Sequence, residues 1–270
     1  MSAYTKLAQA QSELSLFSDL NSLASWDEAC IMPAGGGERR GQAMAALSAL
    51  IHAKRSDPAL AELITQARNE PLDEWQQANV DEIDRRWQAA NALPGDLVKA
   101  RSLATTRCEQ RWRIARADND WQAILPLLEE VVSLSRVQAQ ALGTAKELEP
   151  YDALLDGYEP DLRSADVTAE FAALKEFLPP LLDEVLGRQQ PELPLEGPFP
   201  VAAQQQLCEQ TMKILGFDFD RGRFDVSHHP FCGGIPDDTR ITTRYEDSSF
   251  FESLMAICHE TGHALSLIHI

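Results

Sequence analysis

The chain has 270 residues, which is enough for one large domain or two ordinary domains with a sizeable core. Its 42 acidic residues outnumber the 24 basic ones, and the formal net charge of −18 argues against nucleic acid as a partner. Residues 1–19 lack the basic and then apolar pattern of a signal peptide, and no apolar run approaches the ~18 residues of a membrane span. We therefore expect a cytoplasmic protein with no membrane partner.

The cysteines support the same location. Their number is odd, their positions are scattered, and no two of them are spaced as C-x-x-C. We expect reduced thiols that mostly pack as small apolar groups rather than disulfides or metal ligands. They are Cys30, Cys108, Cys208, Cys232 and Cys258.

Helical periodicity covers most of the first 215 residues, where Ala, Leu, Gln and Glu are common. The predicted helices span about residues 5–24, 38–54, 57–68, 72–92, 94–142, 167–186 and 201–215. Proline is expected to divide or bend two of them, at Pro126 and at Pro179-Pro180. The tryptophans at helical spacing are expected in the core, namely Trp75, Trp87, Trp112 and Trp121. The proline-rich segment 189–200 predicts either an internal domain boundary or a rigid surface loop.

Strand patterns follow the last of these helices. Phe217–Asp220 and Arg223–Ser227 predict a hairpin around Arg221-Gly222, and a third strand is expected at Thr239–Tyr245. Ser249-x-x-Glu252 then predicts a capping box that starts a final helix. The predicted fold class is therefore mainly α, a multi-helix architecture with a small antiparallel β-sheet next to that helix.

The final helix carries His259-Glu260-Thr261-Gly262-His263, which matches H-E-x-x-H. Residues four apart lie one above the other on a helix, so both imidazoles can reach one ion. Zn²⁺ accepts imidazole nitrogen and activates water, for which Glu260 can act as the base, although other divalent metals fit the same donors. The pattern predicts a zinc peptidase. The simpler interpretation is a helix with two surface histidines.

Two further motifs precede this one in the chain. They are His229-Pro230-Phe231 and Asp238-x-Arg240-x-Thr242. With these three motifs in order, the chain resembles the carboxypeptidase Taq family of zinc-dependent metallocarboxypeptidases over nearly its whole length. The resemblance implies a mostly helical fold with a small sheet beside a deep cleft, a cytoplasmic location, frequent homodimers and broad removal of C-terminal residues from peptide substrates.

The resemblance also implies roles for single residues. It makes His259 and His263 zinc ligands and Glu260 the catalytic base. His229 has two interpretations, a direct active-site role or the cap of a buried turn. Arg240 likewise belongs to the active site or pairs locally with Asp237 or Asp238. Asp238 and Thr242 share its motif and are further candidates for substrate binding.

A three-ligand zinc site needs one more protein group. In the family this is a glutamate from a later helix, in a motif beginning His-Glu-Ser, and later motifs also supply an arginine for the substrate's C-terminal carboxylate. Neither is found here, so we expect residues 1–270 to be the N-terminal portion of a larger helical metallopeptidase domain, truncated and inactive alone. His269 has the third-ligand spacing of metzincins, but Ser266 stands where their glycine lets the chain turn back.

Three functions follow from these observations. The first is a metallocarboxypeptidase that hydrolyses the C-terminal peptide bond with a zinc-activated water. The second is a zinc oligopeptidase that cuts peptides internally. The third is a catalytically inactive helical scaffold or interaction protein that keeps only the peptidase architecture and binds no zinc.

Overall fold

The computed structural model describes residues 1–190 and 195–269, with side chains up to Ser266 in the last helix. Within these residues a mainly helical chain carries one three-stranded sheet ahead of its last helix, as predicted. The helices are α1 (Ala3–Cys30), α2 (Gly37–Arg55), α3 (Pro58–Ala67), α4 (Glu74–Asn91), α5 (Gly95–Ala117), α6 (Trp121–Lys146), α7 (Pro150–Leu155), α8 (Ser164–Arg188), α9 (Val201–Leu215) and α10 (Phe251–His269). None of these described helices is long and apolar enough to cross a bilayer.

Aspartates begin several of the helices. The Asp57 side chain accepts a hydrogen bond from the backbone N–H of Ala59 at the start of α3. Asp73 and Gln76 form a capping box at the start of α4, and Asp120 accepts from the N–H of Ala123 in α6. Each carboxylate satisfies a backbone donor that has no partner within its helix.

Proline does not divide the helices where the sequence predicts it. The predicted helix 94–142 is two helices, but they separate at Asn119, which has a positive φ of 53°, and Pro126 lies inside α6. Because Pro126 is in the second turn of α6, it removes only one backbone bond near the helix start. Pro179-Pro180 lie inside α8, which continues unbroken to Arg188. The carbonyls that lose their helical partner belong to the residues four positions before each proline. These residues are exposed, so their carbonyls can bond to water; they are Gln122, Lys175 and Glu176.

The sheet has the strand order β1-β3-β2, with β1 (Gly222–Val226), β2 (Cys232–Ile235) and β3 (Asp238–Thr243). The β2–β3 pair is antiparallel, although β2 itself was not predicted, and β1 and β3 run parallel, so the sheet is mixed rather than wholly antiparallel. This arrangement follows because residues 227–231 cross from one edge of β3 to the other.

The predicted hairpin around Arg221-Gly222 is wrong. Asp218 accepts hydrogen bonds from the N–H of Asp220 through its side chain (2.9 Å) and from the N–H of Arg221 through its carbonyl (3.1 Å). These bonds form a turn in place of a strand. The Phe217 ring is buried against Phe219, with 4.9 Å between the ring centroids.

The capping box predicted at Ser249-x-x-Glu252 is also not formed. Ser249 pairs with Glu246 in an isolated bridge, and α10 begins two residues later at Phe251. Glu252 instead lies 3.6 Å from Arg244. Ser249 and Glu246 therefore bond to each other, and Ser249 does not cap α10.

Two clusters of buried apolar residues stabilise the fold. The first joins α1, α3 and α4 and contains Ala3, Leu7, Leu60, Ile64, Ala67 and Val80. The second joins α9, β3 and α10 and contains Cys208, Met212, Phe217, Ile241, Ile257 and Ala264. Because Ile257 and Ala264 are fully buried against the sheet, the second cluster determines which face of α10 points outward.

Two predictions about the core and the segment boundaries have different outcomes. Trp75, Trp121 and Trp112 are 83%, 56% and 37% exposed, so their predicted place in the core is wrong. Trp87 packs against the first cluster, as predicted. The boundary predicted at 189–200 rests partly on Pro191 and Pro194, which lie outside the described residues. Farther along that segment, the N–H of Phe199 donates to the Asp247 carbonyl at 2.9 Å.

Candidate metal centre

The two histidines of the H-E-x-x-H motif lie on the outward face of α10. Their Nε2 atoms are 3.1 Å apart, and both rings are exposed. A tetrahedral zinc site with Zn–N bonds of about 2.0–2.1 Å holds two ligand nitrogens roughly 3.3 Å apart. The spacing of His259 and His263 therefore fits one divalent ion.

Glu260 points to the side of α10 that faces the sheet. It is only 7% exposed, while its neighbour Thr261 is fully buried. Within the described part of the chain, no hydrogen bond or ion pair reaches the Glu260 carboxylate. Little more than one turn of helix thus carries one carboxylate and two converging imidazoles.

A cleft of about 490 Å³ lies between α10 and the chain that precedes β2. Its lining consists of His229, Pro230, Phe231, Cys232, Glu260, His263 and Ser266. We call it the α10 cleft. The fold therefore brings His229 to the same cavity as Glu260 and His263, although some thirty residues separate them in sequence.

Thr242 positions the segment that carries His229. Its hydroxyl accepts a hydrogen bond from the N–H of Phe231 at 3.0 Å and lies 2.7 Å from the hydroxyl of Ser227. Ser227 in turn donates to the carbonyl of His229 at 2.6 Å. Thr242 is fully buried and does not line the cleft, so its contacts support the neighbouring motif.

Arg240 and Asp238 bond to each other. The guanidinium donates from Nε and Nη2 to the two carboxylate oxygens, at 2.5 and 2.6 Å. Asp237 pairs instead with Arg221, at 2.7 Å. Of the two interpretations of Arg240, the structure shows the local pair with Asp238. A role for either residue in substrate binding stays a prediction.

Trp26 is a part of this region that sequence analysis missed. Its buried ring has Arg240 4.5 Å from the centroid and Arg223 at 5.0 Å. Arg223 is held by Asp225, just as Arg240 is held by Asp238, and the two arginines are partners in the β1–β3 register. The mirrored R-x-D and D-x-R patterns could have indicated the two ion pairs, but not the ring on which the arginines stack.

Cys232 was expected only as core filler, yet it lines the α10 cleft. Burial, and then the negative charge of Glu260, raise the pKa of its thiol to about 11. Without a bound metal the thiol is therefore protonated at neutral pH. The sequence did offer one indication of this location, because Cys232 directly follows His229-Pro230-Phe231.

A third metal ligand is not found within the part of the chain that the structure describes. Over residues 1–190 and 195–266, no group of three His, Cys, Asp or Glu side chains converges on one point. The side chain of His269, the metzincin-like candidate, lies outside the described residues. The site as described consists of two imidazoles and one carboxylate.

Known proteins share both this sequence and this fold. Residues 6–266 match the family model described as carboxypeptidase Taq (M32) metallopeptidase. Thermostable carboxypeptidase 1 of Thermus thermophilus is 37% identical over 277 residues, which cover 97% of this chain and 54% of the relative. Carboxypeptidase 1 of Bacillus subtilis is 29% identical, over 93% of this chain and 51% of its own length.

Solved structures agree with the sequence comparisons. Trypanosoma cruzi metallocarboxypeptidase 1 superposes with a TM-score of 0.84 at 37% identity, over 97% of this chain and 54% of that one. A structure described as BsuCP superposes with a TM-score of 0.92 at 27% identity, over 99% of this chain and 55% of that one. The chain thus spans about half the length of the relatives that it matches.

Proposed function

Because this chain belongs to the carboxypeptidase Taq (M32) metallopeptidase family, we propose that it is a metallocarboxypeptidase acting on the C-terminal peptide bond of peptides. The observation that carries the proposal is a pair of imidazole nitrogens 3.1 Å apart on α10, of which His263 lines the α10 cleft together with the buried Glu260. The five unpaired cysteines suit a reducing compartment, so we place the protein in the cytoplasm. Homodimers are proposed on the family resemblance alone.

His259 and His263 would hold the metal, for which zinc is the first candidate. A zinc ion polarises a carbonyl and lowers the pKa of bound water to about 7. The donor set fits such an ion in type and spacing, but it supplies two ligands where a catalytic zinc site uses three. We propose that the third ligand is a carboxylate outside the described residues. His269 is a weaker candidate because Ser266 takes the place of the glycine.

Glu260 would act as general base and then as general acid. Its carboxylate takes a proton from the attacking water as the water oxygen bonds to the carbonyl carbon of the last peptide bond. As the C–N bond breaks, Glu260 returns that proton to the departing nitrogen and becomes a carboxylate again. Its low exposure keeps bulk water away from the transferred proton, and its oxygens are free of other bonds.

His229 would bind the substrate from the opposite wall of the cleft. An imidazole there can donate a hydrogen bond to the carbonyl oxygen as negative charge develops on it. Thr242 and Ser227 support this geometry by holding the backbone on both sides of Pro230. Arg240 and Asp238 would act indirectly, by keeping β3 against Trp26.

The test of this proposal is substitution of the base. In a protein that also supplies the third ligand, we expect Glu260→Gln to lower release of C-terminal amino acids about 10²–10⁴-fold, because proton transfer is lost while the histidines remain. Zinc stoichiometry should be unchanged. Glu252→Gln, an exposed carboxylate on the same helix, is the matched control and should retain the activity. Undiminished turnover by Glu260→Gln would refute the assignment.

The alternatives predict different results in the same assay. An oligopeptidase still cuts a peptide whose C-terminal carboxylate is amidated, whereas a carboxypeptidase stops. A helical scaffold without metal predicts no bound zinc and no change in unfolding temperature with a chelator. We expect cleavage of the free peptide only, and a lower unfolding temperature once zinc is removed.

A further inference from the structure

A second cleft lies between α1 and α4, at the end of α2, with a volume of about 550 Å³. We call it the α1–α4 cleft. Its polar lining includes Gln11, Ser12, Ser15, Arg55, Asn79 and Arg86. No residue that lines it also lines the α10 cleft. The proposed peptidase chemistry therefore leaves this cavity without a function.

Arg55 is the unusual residue of this cleft. Among the described residues, nothing forms an ion pair or hydrogen bond with it, and its Nε is buried without an acceptor. Its neighbour Lys54, by contrast, pairs with Glu13 at 2.8 Å. Burial, and then the positive charge of Arg86, lower the pKa of Arg55 below its ordinary value. A half-buried guanidinium without an anion is unfavourable, so a missing partner is expected.

The nearby carboxylate does not supply that partner. Both oxygens of Glu82 accept hydrogen bonds from Arg85, at 2.6 and 2.9 Å, and one accepts from Nε of Arg86 at 2.5 Å. The bonds from Arg85 first, and those from Arg86, lower the pKa of Glu82 to about 2 despite partial burial. The Glu82 oxygens are thus bonded to arginines of α4, and no anion among the described residues balances the charge of Arg55.

The cleft also contains hydrogen-bond donors besides Arg55, together with the Glu82 carboxylate, whose charge is already paired with Arg85 and Arg86. Ser12 and Ser15 lie three residues apart on α1, and neither hydroxyl has a partner among the described residues. Arg86 uses only its Nε in the pair with Glu82. Two guanidinium groups and two hydroxyls, provided by different helices, suit an anion that accepts bonds from several directions. A tetrahedral oxyanion meets that requirement better than a planar carboxylate.

We propose that the α1–α4 cleft binds a small tetrahedral oxyanion of the phosphate class, held by Arg55 and Arg86 with the hydroxyls of Ser12 and Ser15. Two sources supply this chemistry, free inorganic phosphate and the phosphate group of a small monoester. Binding would join α1, α2 and α4 through one ligand.

The test measures binding of inorganic phosphate to the metal-free 270-residue chain by calorimetry, with a chelator present and ionic strength held constant with chloride. We expect saturable binding that Arg55→Gln weakens about tenfold or more, since a charged hydrogen-bonding group is lost. Arg39→Gln is the matched control, because Arg39 is an exposed arginine of the same helix outside the cleft, and should bind as the parent does. Without metal, the result is independent of the peptidase proposal.

Further ligands identify the source of the oxyanion, and a second variant covers the case in which Arg55→Gln does not fold. Tighter binding of glycerol 3-phosphate than of phosphate identifies a monoester as the ligand, and the reverse order identifies the free ion. Acetate that binds as tightly as phosphate, or equal phosphate binding by Arg55→Gln, overturns the proposal. If Arg55→Gln loses its helical circular dichroism, the double variant Ser12→Ala/Ser15→Ala decides. Binding at least threefold weaker supports the site, and unchanged binding overturns it.

Discussion

Two buried threonines of β3 have opposite hydrogen-bonding states. Thr242 bonds to the N–H of Phe231 and adjoins Ser227, whereas the Thr239 hydroxyl is buried without a partner in the described part of the chain. Both side chains are at most 1% exposed. A hydroxyl therefore stabilises the fold at one position and costs free energy at the other, since burial of a polar group is unfavourable unless it is bonded.

Valine, which has nearly the same shape as threonine, separates these two states. We expect Thr242→Val to lower the free energy of unfolding by about 1–3 kcal/mol, because the N–H of Phe231 loses its acceptor and the Ser227 hydroxyl loses a bonding partner. Thr239→Val, its control, should be neutral or stabilising. Urea denaturation measures both. Equal effects of the two substitutions would show that the Thr242 network does not hold the His229 segment.

Asp156 connects helical elements rather than single residues. It is 6% exposed and lies among Lys146 of α6, Arg85 of α4 at 3.8 Å and Arg163, which precedes α8, at 3.5 Å. Burial alone would raise the pKa of its carboxyl, but the hydrogen bonds from Lys146 and from the N–H of Asp161, with the nearby positive charges, lower it. One carboxylate thus joins α4, α6 and the residue that leads into α8.

Asp156→Asn should lower the free energy of unfolding at pH 7 by about 1–3 kcal/mol, because Lys146, whose side chain is only 15% exposed, loses its anionic partner. Asp161→Asn is the control, since that side chain is 95% exposed and lies 3.7 Å from the same Arg163. It should change stability by less than about 0.5 kcal/mol. Similar losses in the two variants, measured by urea denaturation, would exclude the buried cluster as their cause.

Acid should remove the same stabilisation in the parent chain. The folded pKa of Asp156 lies below its ordinary value of 3.8, so its contribution is complete above pH 3.8 and is lost as the pH falls through the folded pKa. The pKa of Glu82 is lowered in the same way, so its contribution to stability is lost as the pH falls from about 4.5 to about 2. The stability difference between the parent and Asp156→Asn should therefore shrink below about pH 4.

At the scale of the whole molecule, α8 presents an apolar face that no described element covers. Its side chains are between 40% and 60% exposed and comprise Phe171, Leu174, Phe177, Leu178, Leu181, Leu182, Val185 and Leu186. No residue of α8 is buried. A contiguous apolar surface of this kind is uncommon on a soluble monomer and favours association.

The isolated 270-residue chain should therefore bind an apolar fluorescent dye and self-associate. Phe177→Gln/Leu181→Gln should reduce both effects without lowering the unfolding temperature, because neither side chain is buried. Leu20→Gln, a 57% exposed leucine of α1, is the control and should change neither. Dye fluorescence and light scattering measure the effect. A large fall in unfolding temperature would mean that α8 packs in solution.

Local sequence patterns determined much of this protein by themselves. Periodicity located most helices, and α9 has the predicted bounds Val201–Leu215 because Gly216 ends it with a positive φ of 99°. The spacing of His259 and His263 required only a helix to bring their nitrogens together. Such features depend on contacts between residues a few positions apart, which local propensity controls.

Only the tertiary structure decided the features that depend on distant contacts. The parallel pairing of β1 with β3, the stacking of two arginines on Trp26 and the entry of Cys232 into the α10 cleft all join segments whose encounter no local pattern specifies. The unpaired charge of Arg55 is likewise visible only once α1 and α4 are in place. Sequence spacing determines which side chains share a face of one element, whereas long-range packing determines what that face meets.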